Sequence, residues 1–418
     1  MHRLTHSQRG KNNGKKRFVH FHVPIVEKDD KPAISIRDRS TDEKSTFTTA
    51  EVTDMKISQT KDMHGLLMSI TTFFMILALS MGCRNENSNR MEDRIDAVLS
   101  LYDHADGPGA AVLVMKDDSV VFKKGYGLAD IETRTPVATT TNFRLASVTK
   151  QFTAMCILML AEKGRLSLED PVVKFFPDFP SYGKDIRIRH LLTHTSGLRD
   201  YEDLIPKTLQ RQVYDIDCLE LMKTTDSLYF PTGSAYRYSN TGYAILALVT
   251  EKVTGRRFAD FLKDSVFAPV GMPTTVAFED GRSKVANRAF GHSRNGNGWW
   301  QTDQSQTSAV LGDGGIYSNV EELAKWTSSL WHHRLISDSM QNRAWTRATL
   351  NDGSGIDYGY GWHIEGDDGH PHHDGSTMGF RNHILVYPKE RMMVAVMTNR
   401  NEGDPKGEAL KIAALYRD

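Results

Sequence analysis

A serine hydroxyl is a poor nucleophile until a neighbouring base accepts its proton. In Ser147-Val148-Thr149-Lys150 the two side chains stand three residues apart, which places them on one face of a helix. The apolar stretch Phe152 to Ala161 follows at once, so Ser147 opens a helix that the core can hold. A helix start supplies backbone N–H donors and a dipole that favours developing negative charge. A lysine buried there loses its preference for the charged form and can take the serine proton. Tyr238-Ser239-Asn240 adds a phenol able to shuttle protons beside a lysine and an amide able to orient a carbonyl. His373-Asp374-Gly375-Ser376 precedes the last strands. There Gly375 would admit substrate backbone against a strand edge, and the Ser376 N–H would be a second oxyanion donor. The combined chemistry is acyl transfer, with Ser147, Lys150 and Tyr238 as catalytic candidates. Asn240, His373, Gly375 and Ser376 are the substrate-binding candidates.

Each motif taken singly has decoys. Ser58-Gln59-Thr60-Lys61 and Ser181-Tyr182-Gly183-Lys184 share the serine–lysine spacing, but the first lies in a polar leader and the second reads as a loop around Gly183. Tyr317-Ser318-Asn319 repeats the tyrosine motif, yet Ser318 and Glu321 have the spacing of a capping box opening a helix over Val320 to Leu330. His190 and His194 stand four apart, but Leu191 occupies the place of the glutamate in a zinc-protease HExxH. The cluster His370, His372, His373 and Asp374 reads as an exposed loop around one motif histidine, and no metal site is expected from it. The chain has no G-x-S-x-G nucleophile elbow. Trp299-Trp300 could line a groove, though partial burial is the commoner fate of tryptophan.

Positioning these groups needs a sizeable frame, and 418 residues with 39% apolar and 25% charged composition supply one. Alternation predicts a hairpin from Ala110–Met115 and Ser119–Tyr126 around Lys116-Asp117-Asp118, and late strands at Tyr360–Ile364, His383–Tyr387 and Met392–Thr398. Helical spacing marks Met91–Asp103, Arg187–Leu192, Ile216–Met222, Tyr243–Val253, Phe258–Ser265 and a closing amphipathic Glu408–Tyr416. Strands at both ends with helices between them predict an α/β (α+β) fold. Its antiparallel sheet is built from both chain ends and flanked by helices, with a largely helical inserted region. The α/β part is expected over residues 91–150 and 300–418, and the helical part over 151–299. Lysine plus arginine equals aspartate plus glutamate at 52 each, which argues against nucleic acid as a partner. Cys156 and Cys218 sit in apolar stretches as buried thiols, and no CxxC pair suggests a thiolate zinc site.

The three motifs, in this order, resemble the serine β-lactamase and penicillin-binding-protein superfamily, in its class C-like branch of esterases and peptidases. The resemblance runs from Met91 to the C-terminus and includes the Arg189–Leu198 segment RHLLTHTSGL and Gly312-Asp313-Gly314-Gly315. It implies a site between an α/β part and a helical region, with no cofactor. Ser147 would be acylated, Lys150 and Tyr238 would move protons, and Asn240 would place the acyl amide. The oxyanion would rest on the N–H groups of Ser147 and Ser376. The implied substrate is a small molecule or peptidoglycan-derived compound: an ester, a D-amino-acid peptide or a related amide, with β-lactams as the alternative. A different class of reading is a non-catalytic binding protein that senses peptidoglycan fragments. One departure is His373, where β-lactamases of this kind carry lysine. A substrate-facing histidine is expected to strengthen carboxylate recognition as pH falls from about 7.5 to 5.5.

Residues 1–62 form a polar leader, expected to be disordered or to lie upstream of the true start at Met55 or Met63. Gly65 to Gly82 runs without a formal charge and ends in Leu79-Ser80-Met81-Gly82-Cys83 before a polar tether over 84–90. The segment 63–83 resembles a bacterial signal peptide whose lipoprotein box ends at Cys83, the expected lipidation site; the other reading is an uncleaved membrane anchor. Either one places the folded body outside the cytoplasm, on a bacterial envelope membrane.

Overall fold

The structure, a computed structural model, describes residues 90–296 and 298–417. The leader, the apolar run and Cys83 lie outside the described residues. The chain begins with helix α1 (90–98) and the hairpin β1 (Ala110–Lys116) and β2 (Ser119–Tyr126). Helices α2 (Lys150–Glu162), α3 (Ile188–Leu192), α4 (Asp215–Lys223), α5 (Asn240–Thr254) and α6 (Val320–Trp331) dominate the middle. Strands β3 (His363–Glu365), β4 (His370–Thr377), β5 (Phe380–Tyr387) and β6 (Met392–Thr398) follow, and α7 (Pro405–Arg417) closes the chain. The main sheet has the order β3-β4-β5-β6-β1-β2, antiparallel throughout, so β6 from one end pairs with β1 from the other.

Two neighbouring interior strands show why the sheet was legible. Along β1, Ala111, Leu113 and Met115 enter one core while Ala110, Val112 and Val114 enter another. Along β6, Met393, Ala395 and Met397 alternate in the same way with Met392, Val394 and Val396. Both faces are covered, so these strands read as unbroken apolar runs. Ile95, Leu99, Ile412 and Ala413 cover the outer face; α2, α5 and α6 sit on the inner side, where Phe152 and Trp326 meet with ring centroids 4.4 Å apart. The β1–β2 turn holds Asp117 at φ 49° and Asp118 at φ 60°, the left-handed conformations of a tight two-residue loop.

Some expectations shift. Ser318 does not cap α6, because it lies in the short strand Ile316–Ser318. Asn319 is the cap and accepts from the Glu322 N–H at 2.9 Å, while Glu322 binds Thr274 and Thr275. The helix expected over Val320 to Leu330 is α6, and a further short helix spans Asp338–Ala344. The segment read as an exposed histidine loop is strand β4, whose sequence HPHHDGST has no apolar alternation to reveal it. Among the described residues no helix is long and apolar enough to cross a membrane.

Candidate active site

Ser147 sits in a tight turn, Ala146–Thr149, that feeds directly into α2. Ala146 takes φ 50°, a conformation that a residue with a Cβ rarely adopts, so the surroundings must enforce it. Two strands do so. An ideal Cβ on Gly375 would lie 2.1 Å from the Leu145 carbonyl oxygen, so β4 presses on the turn as only glycine allows. On β5, Asn382 Nδ2 donates to the Arg144 carbonyl at 2.7 Å. The close approach at Gly375 is made to the protein's own backbone at Leu145.

Lys150 is fully buried one turn along. Its Nζ reaches Ser147 Oγ at 3.1 Å, Asn240 Oδ1 at 2.8 Å and the Asp313 carbonyl at 3.1 Å. Burial holds the ammonium well below the ordinary 10.5, a tendency that the carboxylates of Asp313, Asp200 and Glu202 oppose. Asp313 in turn is raised by burial, and Tyr201 donates its hydroxyl to Oδ2 at 2.9 Å. The ring of Tyr238 lies 4.8 Å from Lys150 Nζ. Its hydroxyl is buried without a hydrogen bond of good geometry; burial pushes it toward the neutral form and Ser147 is the neighbour that eases its ionisation. Ser147, Lys150, Tyr238 and Asn240 are thus brought together, with a base beside a hydroxyl and a phenol ring next to that base.

The loop carrying Tyr238 is held by His194. Its Nδ1 accepts from the Ser239 N–H at 3.1 Å and its ring lies 4.2 Å from that of Tyr238. His190 accepts instead from the Arg187 N–H at 3.0 Å, and His194 lies past the end of α3 at φ 58°. Spacing of four therefore does not bring the two rings together as ligands, and the pair serves the backbone.

His373 is the largest departure among the expected site residues. It is on the inner face of β4, but both ring nitrogens are occupied: Nδ1 donates to the Asp374 carbonyl at 2.7 Å and Nε2 accepts from Tyr358 at 3.0 Å. Burial, reinforced by His363 and Lys150, holds it well below 6.5. The expected protonation against a substrate carboxylate between pH 5.5 and 7.5 is corrected on both grounds. Ser376 stands exposed further along the same strand.

Two acidic side chains, Asp200 and Glu202, were not singled out by motif. Asn240 Nδ2 donates to Glu202 Oε1 at 3.1 Å, and the Asn240 N–H donates to Asp200 Oδ2 at 3.3 Å. Burial raises both carboxyls above their ordinary values. Asp313 lies within the noted Gly-rich segment, whereas nothing in the local spacing of Asp200 and Glu202 points to Asn240, which is about forty residues away in the chain.

Comparison with known proteins follows the same lines. The family model described as Beta-lactamase matches residues 93–417. Penicillin-binding protein 4* of Bacillus subtilis is 31% identical over 73% of this chain and 71% of its own length. A D-aminopeptidase of Gluconobacter oxydans is 30% identical over 78% of this chain, which spans 62% of that relative. Among solved structures, the octameric penicillin-binding protein homologue from Pyrococcus abyssi superposes with a TM-score of 0.68 at 27% identity, covering 79% of this chain and 77% of that one. The chain belongs to the beta-lactamase family, within the serine β-lactamase and penicillin-binding-protein superfamily, and is a serine hydrolase.

Proposed function

We propose that the protein hydrolyses amides and short peptides of D-amino acids that carry a free α-amino group, through an acyl-enzyme on Ser147. Neutral Lys150 accepts the Ser147 proton as the hydroxyl attacks the acyl carbon, and as the C–N bond breaks this proton is relayed through Tyr238 to the leaving amine, which returns Lys150 and Tyr238 to their neutral forms. Asn240 orients the acyl portion, and the N–H groups of Ser147 and Ser376 hold the oxyanion. Water then attacks the ester, with the same base receiving its proton.

The observation that carries the substrate class is the carboxylate of Glu202 on the Asn240 amide, with Asp200 beside it. A substrate ammonium placed next to Asn240 would meet negative charge there, from the half-buried Asp200 and the more exposed Glu202. The opposite wall supports the same direction, because the sealed, neutral His373 offers no cation to a substrate carboxylate. That favours aminopeptidase or amidase chemistry over carboxypeptidase and β-lactamase chemistry. The D configuration rests on the likeness to the D-aminopeptidase. We place this body in the bacterial envelope, tethered through Cys83.

The test compares D- and L-amino-acid p-nitroanilides, each free and N-acetylated, with short-chain esters and a chromogenic cephalosporin. Free D-substrates should lead, and N-acetylation should lower kcat/KM by about 10- to 100-fold, as loss of a charged hydrogen bond does. Glu202→Gln should erase most of that difference. Equal turnover of free and acetylated substrates would remove the ammonium-binding reading and leave the serine hydrolase intact.

A further inference from the structure

Strand β4 has a second face. His373 and Gly375 point toward Ser147, so His372 and Asp374 point to the opposite side of the sheet, where the cross-strand partner of Asp374 is His383 on β5. One ligating atom from each of His372, Asp374 and His383 lies within 4.8 Å of those from the other two. Side by side, these residues supply two imidazoles and a carboxylate from adjacent strands.

What marks the cluster is the grouping of these three side chains, since a single open ring nitrogen also occurs in His190, His194 and His292. His383 Nδ1 lies 2.7 Å from Asp374 Oδ1, and His372 Nε2 lies 3.0 Å from Glu365 Oε2. The remaining nitrogen of each ring, His372 Nδ1 and His383 Nε2, is buried without a partner. The two imidazole side chains are only 4% and 0% exposed, while that of Asp374 is 50% exposed. A buried ring nitrogen with no donor facing it is costly for a structural histidine. The Glu365 carboxylate on His372 Nε2 fixes that tautomer and makes the free Nδ1 lone pair more basic, the usual support of a metal-binding histidine, whereas Asp374 meets His383 at Nδ1, so an ion held by both would replace that hydrogen bond. The half-open Asp374 supplies an entry path and room for water ligands.

We propose that His372, Asp374 and His383 bind one divalent transition-metal ion of the zinc type on the sheet face opposite Ser147. Two nitrogens and one oxygen suit Zn²⁺, Co²⁺ or Ni²⁺ better than Mg²⁺ or Ca²⁺, which prefer all-oxygen sets. The surroundings are compatible with this charge. Lys406 is the cation at the cluster, and its Nζ is paired with Glu365 at 2.6 Å. His363 stacks on His372 at 5.2 Å between ring centroids, and His370 is held by Asp368 at 2.6 Å. The ion would brace β4 from behind. Because the Asp374 carbonyl holds His373 and Gly375 holds the nucleophile turn, that bracing acts on the site by position and not by chemistry.

The full-length protein, stripped with a chelator and dialysed, is titrated with CoCl₂ alone and then with ZnCl₂ as competitor. One equivalent of Co²⁺ should bind and give visible d–d absorption that Zn²⁺ abolishes, and the melting temperature should rise with added Zn²⁺. Asp374→Asn and His383→Gln should each weaken Co²⁺ binding by at least about 10-fold, and Glu365→Gln by a similar factor through its support of His372. Asp374→Asn is nearly isosteric and half-exposed, so it decides the matter if His383→Gln does not fold. Absence of stoichiometric Co²⁺ binding to wild type, or binding unchanged in Asp374→Asn, would overturn the site and assign any uptake to surface histidines.

Discussion

The two walls that meet at Ser147 are built on opposite principles. The helical wall is charged: Lys150 lies among Asn240, Asp313, Asp200 and Glu202, all drawn together from separate segments. The sheet wall is neutral: Gly375 presses on the nucleophile turn, and His373 is locked between Tyr358 and its own backbone. The contrast teaches a division of labour. In the proposed reading, proton movement and charge recognition belong to the helical side, where burial holds Lys150 below its ordinary value. The sheet contributes shape and backbone geometry, with His373 held neutral by burial.

The largest effect should come from the charged wall. Lys150→Ala should lower kcat by about 10³-fold or more, as loss of one member of a catalytic unit does. In wild type, kcat/KM should rise with pH as Lys150 loses its proton, because only the neutral amine can accept one from Ser147. The direction of its shift puts that midpoint below 10.5. A profile flat up to pH 10 would break the assignment of charge chemistry to this wall.

Gly375→Ala tests the neutral wall. Its Cβ would stand 2.1 Å from the Leu145 oxygen, so β4 and the turn must part. Activity should fall about 10- to 100-fold, as small misplacement of reacting groups does, with thermal stability reduced by about 1–3 kcal/mol. An unchanged kcat would show that the strand does not hold the nucleophile.

These walls also differ in how far the sequence revealed them. Ser147 and Lys150 were legible because their spacing precedes the apolar helix α2, and β1 and β6 because their residues are apolar on both faces. Strand β4 was not, since HPHHDGST spends its positions on turn geometry, ring hydrogen bonds and polar chemistry instead of alternation. Asp200 and Glu202 meet Asn240 only through the fold, so no local spacing could announce them. The cap of α6 was misplaced by one residue because Ser318 and Asn319 are both good caps, and pairing of Ser318 into a strand leaves Asn319 to do it.

The smallest effect concerns His373. A titrating, substrate-facing histidine would make peptide turnover fall relative to ester turnover as pH rises from about 5.5 to 7.5. Because burial keeps this ring neutral across that window, the ratio should change by less than about 2-fold. A drop toward alkaline pH that vanishes in His373→Gln would return charge recognition to the sheet.

The central claim is that Ser147 becomes acylated and that Lys150 drives the step. The direct measurement is rapid mixing with a slowly deacylating p-nitrophenyl ester, followed by acid quench and peptide mass analysis. The account predicts a burst of about one equivalent of p-nitrophenol and an acyl mass on the peptide containing Ser147. Lys150→Ala should lose the burst, and Ser147→Ala should lose both. An acyl group found on another residue, or a burst that survives Ser147→Ala, would contradict it.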